Sequence, residues 1–290
     1  MDAYLILCHA NPVQVNALAR YLADGGHDVF IHIDAASSIR DAVQGGEHIH
    51  VLERTVAVRW GGWEMVQAML LLMRAAVATG RDYRYVHLLS GQCLPAMPRR
   101  EMEKLLAAAA AEGKQLMECI PLPADERWHG RGGIYRMQVW YPRCMVCKYD
   151  PAHKFFWRYT NAWLRLGLKR PGYHLFGPYY GGSQWWSLTG DCVRAVCAED
   201  RRHPFMRHFF RNSFCSDEHY VQTCVARAGY AGATTGNPSR YICWPAVHAD
   251  SPRLLQRDDW ARLRGSGCLF ARKFELSPRE CVDYFSWLES

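Results

Sequence analysis

The sequence lacks the glycine-rich loops that bind phosphate in many nucleotide-dependent enzymes. Neither G-x-x-x-x-G-K-[ST] nor G-x-G-x-x-G follows the first apolar segment, where CHANP (8–12) stands instead. This absence argues against a kinase and against a dinucleotide-dependent dehydrogenase. An Asp-x-Asp pair after a strand, which commonly holds a divalent metal in sugar-nucleotide enzymes, is also missing, because Asp34 ends its segment alone. A nucleotide-sugar enzyme on this chain would have to neutralise the diphosphate with arginine and lysine.

Long apolar runs and runs of like charge are also missing. The most apolar segment, MVQAMLLLMRAAVAT (65–79), is interrupted by Arg74 and is shorter than the roughly 18 residues of a membrane helix. The first residues have no basic leader, so we expect a cytoplasmic protein rather than an exported one. The net charge of +7 suits an anionic ligand. The basic residues are dispersed, however, which argues against a nucleic-acid partner.

The chain has 12 cysteines but no sign of secretion. We therefore expect reduced, mostly buried thiols rather than a disulfide framework. Cys144-x-x-Cys147 is a lone pair without a second pair at zinc-site spacing. A metal or a disulfide at this pair stays open.

The first 120 residues alternate between strand and helix patterns. Strand patterns occur at AYLILC (3–8), DVFIHID (28–34), HIHVL (48–52), RYVHLLS (84–90) and QLMECI (115–120). Helix patterns run from Asn11-Pro12 to Gly25, from 64 to 79, and from Pro98 to 111. This alternation predicts an α/β fold with a mostly parallel sheet flanked by helices. Ligands bind such sheets beyond the carboxyl ends of the strands.

Residues 121–187 form an aromatic-rich and basic insertion without this alternation. Such an insertion covers or binds something, or it is a second packing layer. After it, SQWWSLT (183–189) predicts a strand, and 190–200 and 217–228 predict helices.

The segment SDEHYVQT (216–223) contains two adjacent carboxylates, Asp217 and Glu218. Ser216 is a good N-cap, and acidic residues suit the first turn of a helix, so both carboxylates have a structural explanation. The alternative is that one of them removes a proton from a substrate. His9 and His87 are expected at strand ends on the ligand edge, where we favour structural histidines over catalytic ones.

Five segments resemble one family in order and spacing. They are WGGWEMVQAML (60–70), HLLSGQCLP (87–95), GSQWWSLT (182–189), SDEHYVQT (216–223) and LFARKF (269–274). The sequence is similar to the core-2/I-branching glycosyltransferases (glycosyltransferase family 14), which include branching β-1,6-N-acetylglucosaminyltransferases and peptide O-xylosyltransferases. The resemblance implies a GT-A type, Rossmann-like fold in a single domain over 1–290. Residues 1–120 would be its nucleotide-binding half, and 121–290 its acceptor-binding and catalytic half. Animal members carry a membrane anchor, whereas this sequence begins at the first strand and resembles a bacterial cytoplasmic member.

The resemblance also implies roles for particular residues. The family's catalytic base falls on Glu218. Its diphosphate-binding cations fall on Arg272 and Lys273 and, in a looser match, on Arg240, and its uridine-binding aspartate falls on Asp34. The family needs no divalent metal, so the resemblance implies that no cofactor is required. The UDP-sugar is the donor substrate.

The acceptor side is less well defined by the resemblance. The segment ERWHGR (126–131) resembles an acceptor-binding segment, which assigns Glu126, Arg127, Trp128 and Arg131 to the acceptor. Trp185 is predicted to stack on a sugar ring, while Trp186, on the other face of the strand, packs in the core.

An inverting transfer needs few groups. A carboxylate takes the proton of the acceptor hydroxyl as it attacks the sugar, and cations stabilise the departing diphosphate. We therefore expect a metal-independent, inverting transfer of N-acetylglucosamine or xylose from a UDP-sugar to a glycan or glycolipid, in bacterial surface polysaccharide synthesis. The alternatives are a catalytically silent carbohydrate- or nucleotide-binding protein on this fold, a metal-dependent transferase, and a nucleic-acid-binding protein that stacks bases on its aromatics. No nucleic-acid partner is expected, and peripheral association with the inner face of the membrane stays open.

Overall fold

The computed structural model describes residues 1–125, 131–245 and 251–290. The strands are β1 Ala3–Cys8, β2 Asp28–Ile33, β3 Ile49–Val51, β4 Tyr85–Ser90, β5 Cys93–Pro95, β6 Ile120–Pro121, β7 Tyr180–Gly181, β8 Ser187–Thr189, β9 Arg240–Ile242 and β10 Phe270–Arg272. The helices are α1 Pro12–Asp24, α2 Trp63–Ala78, α3 Arg99–Ala111, α4 Tyr135–Gln138, α5 Arg143–Val146, α6 Phe156–Arg165, α7 Tyr173–Phe176, α8 Gly190–Arg202, α9 Pro204–Phe210, α10 Tyr220–Arg227, α11 Trp260–Arg264 and α12 Pro278–Glu289.

The main sheet has the order β3-β2-β1-β4-β8. Strands β1 to β4 are parallel, and β8 pairs with β4 in the antiparallel direction. In the centre of the sheet, Leu5 pairs with Phe30 on one side and Leu88 on the other. The predicted α/β fold with a mostly parallel sheet is therefore confirmed. The carboxyl ends of β1, β2 and β4 meet at one edge, which we call the carboxyl edge.

The helices between these strands begin and end as their sequences predict. Asn11 caps α1, since its side-chain oxygen accepts a hydrogen bond from the amide of Gln14 at 3.1 Å. Pro12 occupies the first turn and Gly25 follows the last residue. The apolar face of α1 buries Val15 and Leu18 against the sheet.

Two predicted strands are much shorter in the structure. In 115–120, Gln115 and Leu116 form only isolated bridges, and β6 begins at Ile120. In 183–189, only Ser187–Thr189 is a strand. Between these strands a side chain satisfies one backbone group, since Glu118 accepts a hydrogen bond from the amide of Ser183 at 2.9 Å.

The predicted helix over 217–228 is wrong at its start, because α10 begins at Tyr220. Residues 216–218 form a separate 3-10 turn, which we call the Glu218 turn. Ser216 makes no capping hydrogen bond. Cys215, just before the turn, has a left-handed backbone with φ 49°, so the chain changes direction there instead of starting a helix.

His87 also differs from its predicted place at a strand end. It lies inside β4, is fully buried, and stacks on Tyr4 with ring centroids 4.7 Å apart. Its Nδ1 is 2.7 Å from the hydroxyl of Ser187. Burial lowers the pKa of His87 to about 3, so the ring is neutral and structural.

A second sheet, in the order β5-β10-β9, carries the C-terminal basic residues. Strand β10 pairs antiparallel with β5 and parallel with β9. This pairing brings Arg272, the last residue of β10, opposite Cys93, three residues after the end of β4. Within the described ranges, no helix is both long enough and apolar enough to cross a membrane.

Candidate active site at the carboxyl edge

The Glu218 turn is held in place by backbone hydrogen bonds from two loops. The amide of Cys215 donates to the carbonyl of Gly61 at 3.0 Å, and the amide of Gly182 donates to the carbonyl of Glu218 at 3.0 Å. Gly182 has no room for a side chain, since a Cβ atom there would lie 1.9 Å from the carbonyl oxygen of Glu118. The WGGW and GSQWW segments therefore meet at the turn that carries Glu218.

The side chain of Glu218 is paired with a buried arginine, Arg136, which the sequence analysis did not predict as a site residue. Nη1 of Arg136, on α4, donates to Oε2 of Glu218 at 2.5 Å and is 3.3 Å from Nε2 of His219. Arg136 is buried, while the Glu218 side chain is 35% exposed. Burial opposes the charge on Arg136, but the carboxylate of Glu218 raises the pKa of the guanidinium. The pair orients Glu218 and leaves part of its carboxylate open to solvent.

Asp217, like Glu218, is a half-buried residue, but part of its carboxylate is shielded from solvent. Its Oδ1 is buried and has no hydrogen-bond partner among the described residues. Burial and then the negative charge of Glu218 raise the pKa of Asp217 to about 7, against the opposing effect of Arg136. Asp217 is therefore suited to hold a proton while Glu218 is the carboxylate that faces solvent.

The guanidinium of Arg272 lies over the indole ring of Trp185, with Cζ 4.2 Å from the ring centroid. Burial lowers the pKa of Arg272. Trp185 is itself only 5% exposed, so Arg272 covers the ring that was predicted to stack on an acceptor sugar. Trp186 is fully buried, as predicted. The contact links Arg272 to the Glu218 turn, because Trp185 is three residues from Gly182 in the chain.

Lys273 lies beside two further cations. Its ammonium donates to the hydroxyl of Ser251 at 2.7 Å. Burial lowers the pKa of Lys273, and the positive charges of Arg272 and Lys148 lower it further. Lys148 also lies 5.0 Å from the ring centroid of Trp60. Clustered cations repel one another until an anion joins them, so this is a suitable place for a phosphate group.

Arg240 is engaged in structural contacts instead. Its Nη2 donates to the carbonyls of Trp186 and Leu88, at 2.9 and 3.2 Å, and to the hydroxyl of Ser187 at 3.2 Å. The guanidinium lies 4.6 Å from the ring centroid of Phe270, and burial lowers its pKa to about 10. These contacts join β4 and β8 to the second sheet. Donor binding by Arg240 stays a prediction that these contacts do not support.

Asp34 lies at the carboxyl edge, directly after β2, as predicted. Its Oδ1 accepts a hydrogen bond from the amide of Ala36 at 2.8 Å, and its Oδ2 accepts one from the amide of Val58 at 3.2 Å. The half-buried carboxylate thus holds the loop that leads to Trp60 and Gly61. Its contact with uridine stays a prediction.

Most of the predicted acceptor segment lies outside the described residues. Glu126, Arg127 and Trp128 belong to this part of the segment. Arg131 is described and is exposed, with a left-handed φ of 55°. It begins the short turn that leads to α4 and therefore to Arg136. The structure pairs Glu218 with Arg136 and Arg272 with Trp185, and it places Lys273 near Lys148. The loop from Gly182 to Trp186 connects Glu218 to Arg272, because Gly182 is hydrogen-bonded to Glu218 and Trp185 lies under Arg272.

Neither Arg136 nor Lys148 has a signal in the sequence that distinguishes it from the other basic residues of the insertion. Arg136 and Glu218 are 82 positions apart, and only packing brings them together. Lys148 directly follows Cys147, the second cysteine of the Cys144-x-x-Cys147 pair. Both cysteines are free thiols in the structure, Cys144 exposed and Cys147 buried.

One group of side chains in the described part of the chain has metal-like spacing: Asp2, His27 and Glu103. It lies at the opposite edge of the sheet from Glu218, since Asp2 precedes β1. The guanidinium of Arg84 already pairs with both carboxylates. This group therefore has no connection with the candidate active site.

A partly exposed carboxylate and clustered cations at the carboxyl edge of a mostly parallel sheet suit an enzyme that acts on a diphosphate-containing substrate. The chain belongs to the Core-2/I-Branching enzyme family, which it matches over residues 3–258. It is therefore a glycosyltransferase, and the family implies the GT-A fold. No match was found among curated proteins.

Proposed function

We propose that the protein is a metal-independent, inverting glycosyltransferase that uses a UDP-sugar. The observation that carries this proposal is the short connection between the base and the cations. The 182–186 loop is hydrogen-bonded to Glu218 through Gly182 and lies under Arg272 through Trp185. A proton acceptor and cations around one loop are what a single displacement with a diphosphate leaving group requires.

Glu218 is the proposed general base. One of its oxygens accepts the hydrogen bond from Arg136, and the other has no hydrogen-bond partner in the described part of the chain. That second oxygen would accept the proton of the acceptor hydroxyl as it attacks the anomeric carbon. General-base catalysis of this kind contributes about 10²–10⁴ in rate.

Arg272 and Lys273 are the proposed diphosphate ligands. Arginine offers two parallel N–H donors to phosphate oxygens, and lysine adds a compact charge. Trp185 beneath Arg272 limits where the guanidinium can lie, which reduces the entropy lost on binding. Asp34 would contact the uridine from the end of β2.

The donor sugar is N-acetylglucosamine or xylose, as in the family, and the acceptor is a hydroxyl of a glycan or glycolipid in bacterial surface polysaccharide synthesis. We propose further that 1–290 acts as one domain, with the nucleotide bound by 1–120. The acceptor would be bound by 121–290, including Arg131.

The test is a panel of UDP-sugars in the presence of a chelator, read by thermal shift and by release of UDP. A specific donor should raise the melting temperature by mass action, and UDP alone should give part of that rise. Glu218→Gln should bind the donor nearly as the parent does while transfer falls about 10²–10⁴-fold. Glu112→Gln, on an exposed carboxylate after α3, is the matched control. Loss of turnover on chelation would favour a metal-dependent transferase, and donor binding without any turnover would favour a silent binding protein.

The cation assignment is tested separately. Arg272→Ala and Lys273→Ala should each weaken UDP binding at least about tenfold, because each removes a charge-assisted hydrogen bond to phosphate. Arg279→Ala, on an exposed arginine of α12, should leave UDP binding unchanged. UDP affinity equal to the parent in both Arg272→Ala and Lys273→Ala would overturn the diphosphate site.

A further inference from the structure

The segment from Lys154 to Leu175, which we call the 154–175 surface, exposes an unusual number of large apolar side chains. Of the 14 exposed large apolar residues in the described ranges, five lie within these 22 positions. They are Phe155, Trp157, Leu166, Leu168 and Leu175. Leu166 is 71% exposed and Leu175 is 76% exposed, so neither contributes to the core. Exposed apolar residues usually lie scattered and single on a protein exterior, so this density along one segment favours a binding role.

These side chains are exposed because α6 already has a buried face. Phe156 and Thr160 are buried, and Phe156 stacks on Tyr141 with ring centroids 5.0 Å apart. Phe155 and Trp157 flank this buried position and face solvent. The exposed apolar residues therefore lie outside the packing that holds α6 to the protein.

The same surface is strongly basic. Lys154, Arg158, Arg165 and Lys169 are all exposed. No aspartate or glutamate occurs between 151 and 190. The four positive charges therefore have no acidic neighbour along this stretch, and their field favours a partner with many negative charges.

We propose that the 154–175 surface binds the face of a bilayer that contains anionic lipid. The lysines and arginines would contact the lipid head groups, while Trp157 and the leucines would enter the interfacial region. A second copy of this chain is a poor occupant, because two such surfaces would bring like charges together. A soluble polyanion would use the cations but would leave three exposed leucines without an apolar partner.

This inference does not depend on the proposed transferase, since binding to lipid is measured without donor or acceptor. The experiment is co-sedimentation of the full chain with vesicles of phosphatidylcholine alone and of phosphatidylcholine with about one third phosphatidylglycerol. We expect binding to the anionic vesicles, weaker binding as salt rises, and little binding to pure phosphatidylcholine.

Two double variants separate the two contributions. Arg158→Glu with Arg165→Glu should weaken binding to anionic vesicles at least about 25-fold, since each basic residue near the surface contributes about fivefold. Leu166→Ser with Leu168→Ser should weaken it about tenfold, because the leucines no longer enter the interface.

The matched control is Arg100→Glu with Lys104→Glu, two exposed cations one turn apart on α3. This pair should change vesicle binding less than threefold. The melting temperatures of all three double variants identify any variant that fails to fold. If the charge reversal unfolds the protein, the leucine variant by itself is sufficient to test the proposal.

Three outcomes would overturn the proposal. They are no binding of the parent to anionic vesicles, an equal loss in the α3 control, and no effect of the leucine changes. Binding to a nucleic acid or sulfated polysaccharide but not to vesicles would assign the surface to a soluble polyanion instead.

Discussion

Asp217→Asn should stabilise the protein at neutral pH but not at acidic pH. In the structure, Oδ1 of Asp217 is buried without a hydrogen-bond partner in the described residues, and its carboxyl lies beside that of Glu218. Burial first, and then the charge of Glu218, raises the pKa of Asp217 from 3.8 to about 7. Arg136 acts in the opposite direction without cancelling these effects.

The sign of the pH dependence follows from this raised pKa. Between pH 4 and 7 the folded protein keeps the Asp217 proton, while the unfolded chain loses it, so stability falls as the pH rises through this window. Three pH units at about 1.4 kcal/mol each correspond to about 4 kcal/mol. Asparagine has nearly the shape of the protonated carboxyl but does not ionise, so the variant avoids this loss.

The measurement is the free energy of unfolding by denaturant at several pH values from 4 to 8, followed by tryptophan fluorescence. The stability of Asp217→Asn relative to the parent should be near zero at pH 4 and should grow to a few kcal/mol at pH 7.5. Asp24→Asn, on an exposed carboxylate at the end of α1, should show no such growth. A difference between variant and parent that is independent of pH, or a variant less stable at pH 7.5, would refute the reasoning.

Three further predictions concern one histidine of the core and two residues at the site. His87→Gln should remove a pH dependence of the opposite sign: because burial lowers the pKa of His87 to about 3, the parent should lose about 1.4 kcal/mol per unit relative to the variant as pH falls from 6 to 4. Arg136→Ala should lower the turnover number at least about tenfold with a smaller effect on donor affinity, since it orients Glu218. Gly182→Ala should destabilise the fold by about 1–3 kcal/mol or more, because its Cβ would meet the carbonyl of Glu118 at 1.9 Å.

Each of these has a control and a contrary result. His174→Gln, on an exposed ring, should follow the parent across the same pH range, and a constant stability difference for His87→Gln would contradict the burial argument. Arg136→Lys should keep part of the activity, whereas an unchanged turnover number in Arg136→Ala would remove its positioning role. Gly232→Ala, where nothing lies within 4 Å of the new atom, should be tolerated, and equal stability of Gly182→Ala would show that the loop can move.

Local sequence patterns were sufficient to predict most strands and helices of the main sheet. The apolar strand of β1, the Asn11–Pro12 start of α1 and the β-branched run of β2 are each determined by residues next to one another, so their positions were predicted to within a residue or two. The start of α10 was not predicted correctly from its local sequence. The local preference of Ser216 for an N-cap was overridden by the left-handed Cys215 and by backbone bonds to two distant loops.

For the site, the sequence determined which chemical groups are present, and the tertiary structure decided what each one faces. Glu218, Arg272 and Lys273 could be singled out because they fall on motifs of the family that the sequence resembles, and a carboxylate and cations suit its chemistry. The sequence could not predict three contacts. Arg136 pairs with Glu218, Arg272 covers Trp185, and the guanidinium of Arg240 donates to backbone carbonyls. Such contacts join residues tens of positions apart, so packing and desolvation across the whole fold fix them, and no local spacing records them.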